Sequence, residues 1–274
     1  MNKTNIEWVK NPDGTQGYTW NPITGCLNNC SYCYARKLAN GRLKSRYLAN
    51  HDYPLTSEMG VHPNPRAHRD TGAYADPIAE SDPFYPRFWE DRECSPITFE
   101  RPRKHKGVFV CDMGELFGDW IPREWQQHIF ATIQACPWHR FYLLTKQPQN
   151  LLQFSPFPDN CWVGVTATNR EKFVSACTYL EKVWAKVKYL SLEPLLDWHN
   201  GNGVDIKGYL ENAGIGQVII GSQTKPYKPP KIEWIEEIES ACNKARIAVF
   251  EKNNLNPLLD YNLRQEMPNE EAKE

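Results

Sequence analysis

Cys26, Cys30 and Cys33 fall within one eight-residue window of the segment WNPITGCLNNCSYCYA, in a C-x3-C-x2-C arrangement. Three thiolates at this spacing can hold three corners of a cubane [4Fe-4S] cluster and leave the fourth iron without a protein ligand. An open iron of that kind can chelate the amino and carboxylate groups of S-adenosylmethionine. An electron from the cluster then breaks the sulfonium bond to give a 5′-deoxyadenosyl radical, chemistry that belongs to the cofactors. Such a site draws its electrons from a donor of flavodoxin or ferredoxin type. The competing reading is a structural zinc knuckle. Zinc normally takes four ligands in two spaced pairs, and no second pair or His-x3-His partner follows nearby.

The cysteine loop follows a first strand expected near Trp20–Thr24 and precedes a helix expected from Tyr34 to about Ala49. After residue 105, short apolar runs alternate with helical patterns, the signature of βα units around a parallel sheet. The runs are Gly107–Cys111, Phe141–Thr145, Trp162–Thr166, Val187–Leu192, Gln217–Gly221 and Ile247–Phe250. Helices are expected at Pro122–Cys136, Asn169–Trp184 and Lys231–Ala245, with a shorter one after Pro148. Six or seven units fall short of a closed eight-fold barrel, so the expected fold is α/β, a partial (β/α)6-7 TIM-like barrel. One domain is expected over residues 1–268, interrupted at about 50–106 by a proline-rich irregular insertion and followed by a frayed acidic tail at 269–274.

Barrel enzymes build their sites where strands end, and the residues there are the next candidates. Tyr32 can pack against an adenine, and Asn28 and Asn29 are turn formers suited to closing the loop. Cys111 ends the second strand, where a thiol can donate a hydrogen atom to a carbon radical; core packing is the competing role. Lys146 ends the third strand and can meet a carboxylate or phosphate, or simply be solvated. Ser191 and Glu193 end the fifth, and because an acidic residue at a barrel mouth is costly unless paired, Glu193 with Ser191 is a cofactor-binding candidate. For Glu251 and Lys252, a rim salt bridge is the better reading. The aromatics and cations of FYPRFWEDRECSPITFERPRKHK (residues 84–106) can form a nucleic-acid face, although anchoring of the insertion explains most of the aromatics.

The cysteine spacing resembles the radical S-adenosylmethionine superfamily. The flanking TNIEW, TWNPITGC and CYA are similar to the phage Gp37/Gp68 family, as are VCDMGELFGDWIP, LLTKQPQNL, WVGVT, LSLEPLL and VIIGSQ. The resemblance implies a barrel of the radical S-adenosylmethionine type. It also implies that Glu115, in DMGE after the second strand, meets the methionine amino group while Gly114 lets the backbone approach closely; a turn before a helix start is the competing reading of Glu115. Thr166, Thr168 and Asn169 are where it implies ribose contacts, although Asn169 also suffices as a helix cap. The sequence departs from the pattern at Gly221-Ser222-Gln223-Thr224, where a Gly-Gly-Glu-Ser type turn is expected, so any role for a glutamate there lapses.

Nine cysteines in a 274-residue chain do not read as a secreted disulfide scaffold. With no signal-peptide pattern and no long apolar span, the expected location is cytoplasmic, with no membrane partner. A net charge of −1 argues against coating of polyanions by bulk charge and leaves local basic faces possible. The leading expectation is a radical enzyme that abstracts hydrogen from a substrate, nucleobases and nucleic acids included, in modification or repair. The alternatives are a radical enzyme acting on a small molecule or peptide, and a non-catalytic zinc or iron–sulfur protein that binds nucleic acid.

Overall fold

Runs such as Gly107-Val-Phe-Val and Cys161-Trp-Val-Gly-Val-Thr have no polar face, and every residue in both is buried. Such segments are stable only as strands covered on both sides. In the computed structural model, residues 1–50, 80–98, 105–199 and 203–268 are described. Much of the expected insertion (51–79 and 99–104) and the acidic tail (269–274) lie outside the described residues.

In chain order the strands are β1 (Asn2–Lys3), β2 (Tyr18–Trp20), β3 (Ile23–Thr24), β4 (Arg87–Phe88), β5 (Gly107–Val110) and β6 (Arg140–Thr145). They continue as β7 (Cys161–Thr166), β8 (Val187–Leu192), β9 (Ile215–Ile220), β10 (Gln223–Thr224), β11 (Tyr227–Lys228) and β12 (Ala248–Glu251). Eight of them form one mostly parallel sheet in the order β1-β2-β5-β6-β7-β8-β9-β12, with β1 antiparallel to β2. Helices at Arg123–Ala135, Arg170–Leu180, Ile206–Asn212 and Ile232–Ala245 fall between strands, and the fold is α/β.

Three expected elements differ. The first strand stops at Trp20: Pro22 has no N–H to give a ladder, and Ile23–Thr24 turns to pair antiparallel with Phe88 and Arg87. The helix expected over Tyr34–Ala49 is two, Tyr34–Asn40 and Lys44–Leu48, because the chain leaves the helix at Gly41, whose N–H bonds back to Lys37 and Leu38. The helix expected to run to Trp184 ends at Leu180.

The chain divides into two compact units, Met1–Thr4 with Asn11–Leu143 and Asn5–Lys10 with Leu144–Glu274. In the first, Trp20 is buried against Phe141, with ring centres 6.1 Å apart. In the second, Trp8 packs on Tyr189 at 5.6 Å and Phe173 meets Trp198 edge-on at 5.2 Å. Among the described residues no helix is long and apolar enough to cross a membrane.

Candidate metal centre

The cysteine loop is built on glycine. Gly25 sits at φ +91°, and a Cβ there would lie 2.5 Å from the carbonyl oxygen of Tyr85, so no other residue fits without moving backbone. Its N–H donates to the Met113 carbonyl at 2.9 Å, and Gly25 and Gly114 form a parallel bridge. Gly114 is confined less severely, its missing Cβ pointing at the Ile23 and Gly25 carbonyls at 3.0 and 3.2 Å. The close backbone approach expected of Gly114 is therefore made to the cysteine loop itself. Beyond Gly25, Asn29 turns the chain in the left-handed region at φ +49°, which asparagine tolerates.

Cys26, Cys30 and Cys33 are half-buried on this loop. Cys26 Sγ accepts from the Asn28 N–H at 3.4 Å, and Cys33 Sγ caps the following helix by accepting from the Arg36 N–H at 3.3 Å. Cys26 and Cys33 rest on an apolar nest of Ala35, Ala39, Phe84, Trp89 and Met113. Arg36 braces the loop, donating to the Cys26 carbonyl at 3.2 Å and to Asp82 at 3.0 Å. Tyr32 is half-buried within it.

The donor set suits an iron–sulfur cluster, since three thiols share one short loop and N–H groups already point at two of the sulfurs, contacts that tune cluster potential. No three Cys, His, Asp or Glu side chains among the described residues converge on one point as they stand.

Beside the loop lies the turn after β5. Cys111 takes φ +58°, uncommon for a residue with a side chain, and the Gly114 N–H closes the turn onto its carbonyl at 2.9 Å. This turn delivers two carboxylates. Asp112 accepts from Asn21 at 2.6 Å and from the Tyr34 hydroxyl at 3.3 Å, and burial pushes its carboxyl above the usual range despite both bonds. Glu115 is buried, accepting from the Phe117 N–H at 3.2 Å and from Asn28 of the cysteine loop at 3.4 Å. The structure thus joins Cys26, Asn28, Gly114 and Glu115. The roles of Asn21 and Tyr34 carry no local sequence signal. The Cys111 thiol is buried, and burial pushes its pKa up strongly.

Of the aromatics between residues 84 and 106, those described take the anchoring role, and Phe99 lies outside the described residues. Phe84, Tyr85, Phe88 and Trp89 are all buried, and Trp89 donates to Thr24 at 2.8 Å through its indole and to the Pro22 carbonyl at 2.8 Å through its backbone. Arg87 is buried too, with its guanidinium on the Tyr85 carbonyl at 2.7 Å. Burial lowers its pKa to about 10. These side chains support the cysteine loop, and among the described residues of the segment no Phe, Tyr or Trp ring is exposed.

In the second unit, Thr166 and Ser191 are register partners on β7 and β8, both buried. The Thr168 carbonyl accepts the N–H groups of Leu196 and Asp197, and Asn169 caps its helix by accepting from the Lys172 N–H at 2.9 Å. Glu193 pairs with Lys252 at 2.5 Å, and Lys252 also reaches Glu7 at 3.3 Å. Burial works to lower the Lys252 pKa; Glu193 and Glu7 reverse this and hold it above its ordinary value. Lys252 is thus in the ion pair expected of it, with Glu7 as an unforeseen second partner. Its neighbour Glu251 turns away, fully buried and accepting from Tyr261 at 3.0 Å and the Arg264 N–H at 2.8 Å. Lys146 is exposed.

No curated protein and no solved structure matches the chain. Residues 3–256 match a family described as a protein of unknown function (DUF5131), and the chain belongs to that family.

Proposed function

We propose that this chain is a radical S-adenosylmethionine enzyme in which Cys26, Cys30 and Cys33 hold a [4Fe-4S] cluster. The observation that carries the reading is their C-x3-C-x2-C spacing on one glycine-anchored loop, with thiols that solvent reaches while five other cysteines are buried. Bound together, cluster and cosubstrate supply reductive cleavage of the sulfonium bond to an adenosyl radical. The chain's own residues do the rest. Glu115 is the acceptor for the cosubstrate ammonium, and Asn28 holds that carboxylate to the loop. Thr166 stands where the superfamily resemblance implies ribose contacts, and Ser191 and Glu193 stand at the end of the next strand as further cosubstrate-binding candidates. Cys111 is a buried thiol, protected from solvent, at the position proposed for hydrogen donation.

The mostly parallel sheet is read as part of a partial (β/α) barrel, the protein as cytoplasmic, and its electron source as a flavodoxin- or ferredoxin-type donor. The reaction is hydrogen abstraction from a substrate of the nucleobase or nucleic-acid class.

Electron paramagnetic resonance on anaerobically purified, dithionite-reduced protein tests this, with and without S-adenosylmethionine and alongside Cys30→Ala. The expected result is a reduced-cluster signal that shifts with the cosubstrate and is lost in the variant. A zinc-loaded, iron-free protein, or a cluster signal indifferent to the cosubstrate, overturns the proposal.

A further inference from the structure

The chain that leaves β9 reads SQTKPYKPPK from Ser222 to Lys231, with three lysines and no carboxylate in ten residues. Gln223 and Thr224 pair antiparallel with Lys228 and Tyr227, closing a small hairpin, and Gln223 Nε2 donates to the Pro226 carbonyl at 2.9 Å. Residues 224–229 are all exposed, and Tyr227 keeps 47% of its surface open.

The hairpin is fastened at its base. Asn254 accepts from the Ser222 N–H at 3.0 Å and donates to the Ser222 carbonyl at 2.9 Å, while the Tyr227 hydroxyl donates to the Asn254 carbonyl at 3.4 Å. It rises directly from the strand-end ion pair, because the missing side chain of Gly221 faces Glu193 Cγ and Lys252 Cδ, each at 3.2 Å. Lys231, at its exit, lies over the Trp234 ring at 5.4 Å. The nearest exposed carboxylates in sequence, Glu233 and Glu236, come only in the helix that follows. With a net charge of −1 on the whole chain, this density of positive charge is local.

Lysines interleaved with an open aromatic ring suit a single-stranded nucleic acid, whose phosphates take the cations and whose bases stack on the ring. A membrane surface would call for a larger apolar face beside the lysines, and here the one exposed aromatic sits among proline, threonine and lysine. We propose that the β10–β11 hairpin is the surface through which this chain holds single-stranded nucleic acid, with Lys225, Lys228 and Lys231 on phosphates and Tyr227 on a base. The proposal rests on the reading above for what happens to the strand, and it names that reading's substrate class. The contact itself does not require the cluster.

Fluorescence anisotropy of the full chain with short labelled single-stranded DNA and RNA, across a salt series, tests it. Affinity should fall with salt at a log–log slope of roughly −0.7 per neutralised phosphate. The doubly substituted K225E/K228E chain should bind about tenfold more weakly or worse, with a shallower slope. Tyr227→Ala should lose about tenfold with the slope unchanged. Thermal melts of these surface variants should match the parent, and Cys30→Ala should bind normally. A parent chain that holds no iron yet binds oligonucleotide would sink the radical reading alone. Unchanged affinity in a folded K225E/K228E chain, no oligonucleotide binding by the parent, or preferential capture of anionic vesicles would each overturn the hairpin proposal.

Discussion

Reactivity sorts the nine cysteines before any cofactor is considered. Burial pushes the Cys177 and Cys242 thiols up to about 12 and moves Cys111, Cys136 and Cys161 upward as well. Since the thiolate is the nucleophile, these five should resist alkylation. Cys94 is exposed and Cys26, Cys30 and Cys33 half-buried, so iodoacetamide should label those four in native, metal-free protein. Mass spectrometry of cluster-loaded protein should find Cys94 alone labelled; equal labelling of the loop with and without iron would contradict its assignment as the ligand set. Lys252 offers a second test. Its replacement by Ala leaves Glu7 and Glu193 without their shared cation, a loss of about 1–3 kcal/mol at neutral pH. The lysine's folded pKa lies above its ordinary 10.5, so its contribution is complete below that pH and disappears as pH climbs through the folded value. Denaturant melts of parent and Lys252→Ala should therefore converge in strong alkali.

The loop that carries the three thiols is itself held by a glycine pair, and the two positions should differ in tolerance. At Gly25 a Cβ meets backbone at 2.5 Å in a left-handed conformation, whereas at Gly114 the nearest contact is 3.0 Å and no positive φ is required. Gly25→Ala should cost several kcal/mol and abolish iron loading, and Gly114→Ala should cost about 1–3 kcal/mol while retaining part of it. Thermal melts paired with iron content check this, and equal effects at the two positions would remove the loop anchor from the argument. The cysteine motif was legible because its information is local, three thiols and two turn-forming asparagines in eight residues. Its supports were not, since the Tyr85 carbonyl that excludes a Gly25 side chain and the buried Arg87 come from a segment with no periodicity. Glu7 likewise reaches Lys252 from the opposite end of the sequence.

The parallel strands were legible for the same reason that they are buried: a run such as Val187–Leu192 has no solvent face to interrupt its hydrophobicity. Short pieces escaped notice. The Ile206–Asn212 helix buries only Ile206 and Leu210 and carries a glycine inside, too little to show a period; Asp205 caps it by accepting from the Gly208 N–H at 3.0 Å. Part of the whole chain's response to acid comes from a position with no motif at all. His139 is 3% exposed just before β6, and its Nδ1 accepts the Lys106 N–H at 3.1 Å where β5 begins. Burial pushes its pKa from 6.5 down to about 4. Between those values the unfolded chain binds a proton that the folded chain refuses, so stability falls as pH drops through this window, by roughly 3 kcal/mol at most. Asp112 and Glu239, whose carboxyls burial holds above their ordinary values, bind protons more readily when folded and oppose the trend. The informative quantity is therefore the difference between two acid titrations. His139→Gln removes the titrating ring while offering an acceptor to Lys106, and it should show a shallower loss of denaturant stability from pH 6.5 to 4 than the parent. Parallel curves would mean that His139 takes up its proton without unfolding, and that the junction of β5 and β6 accommodates a charge.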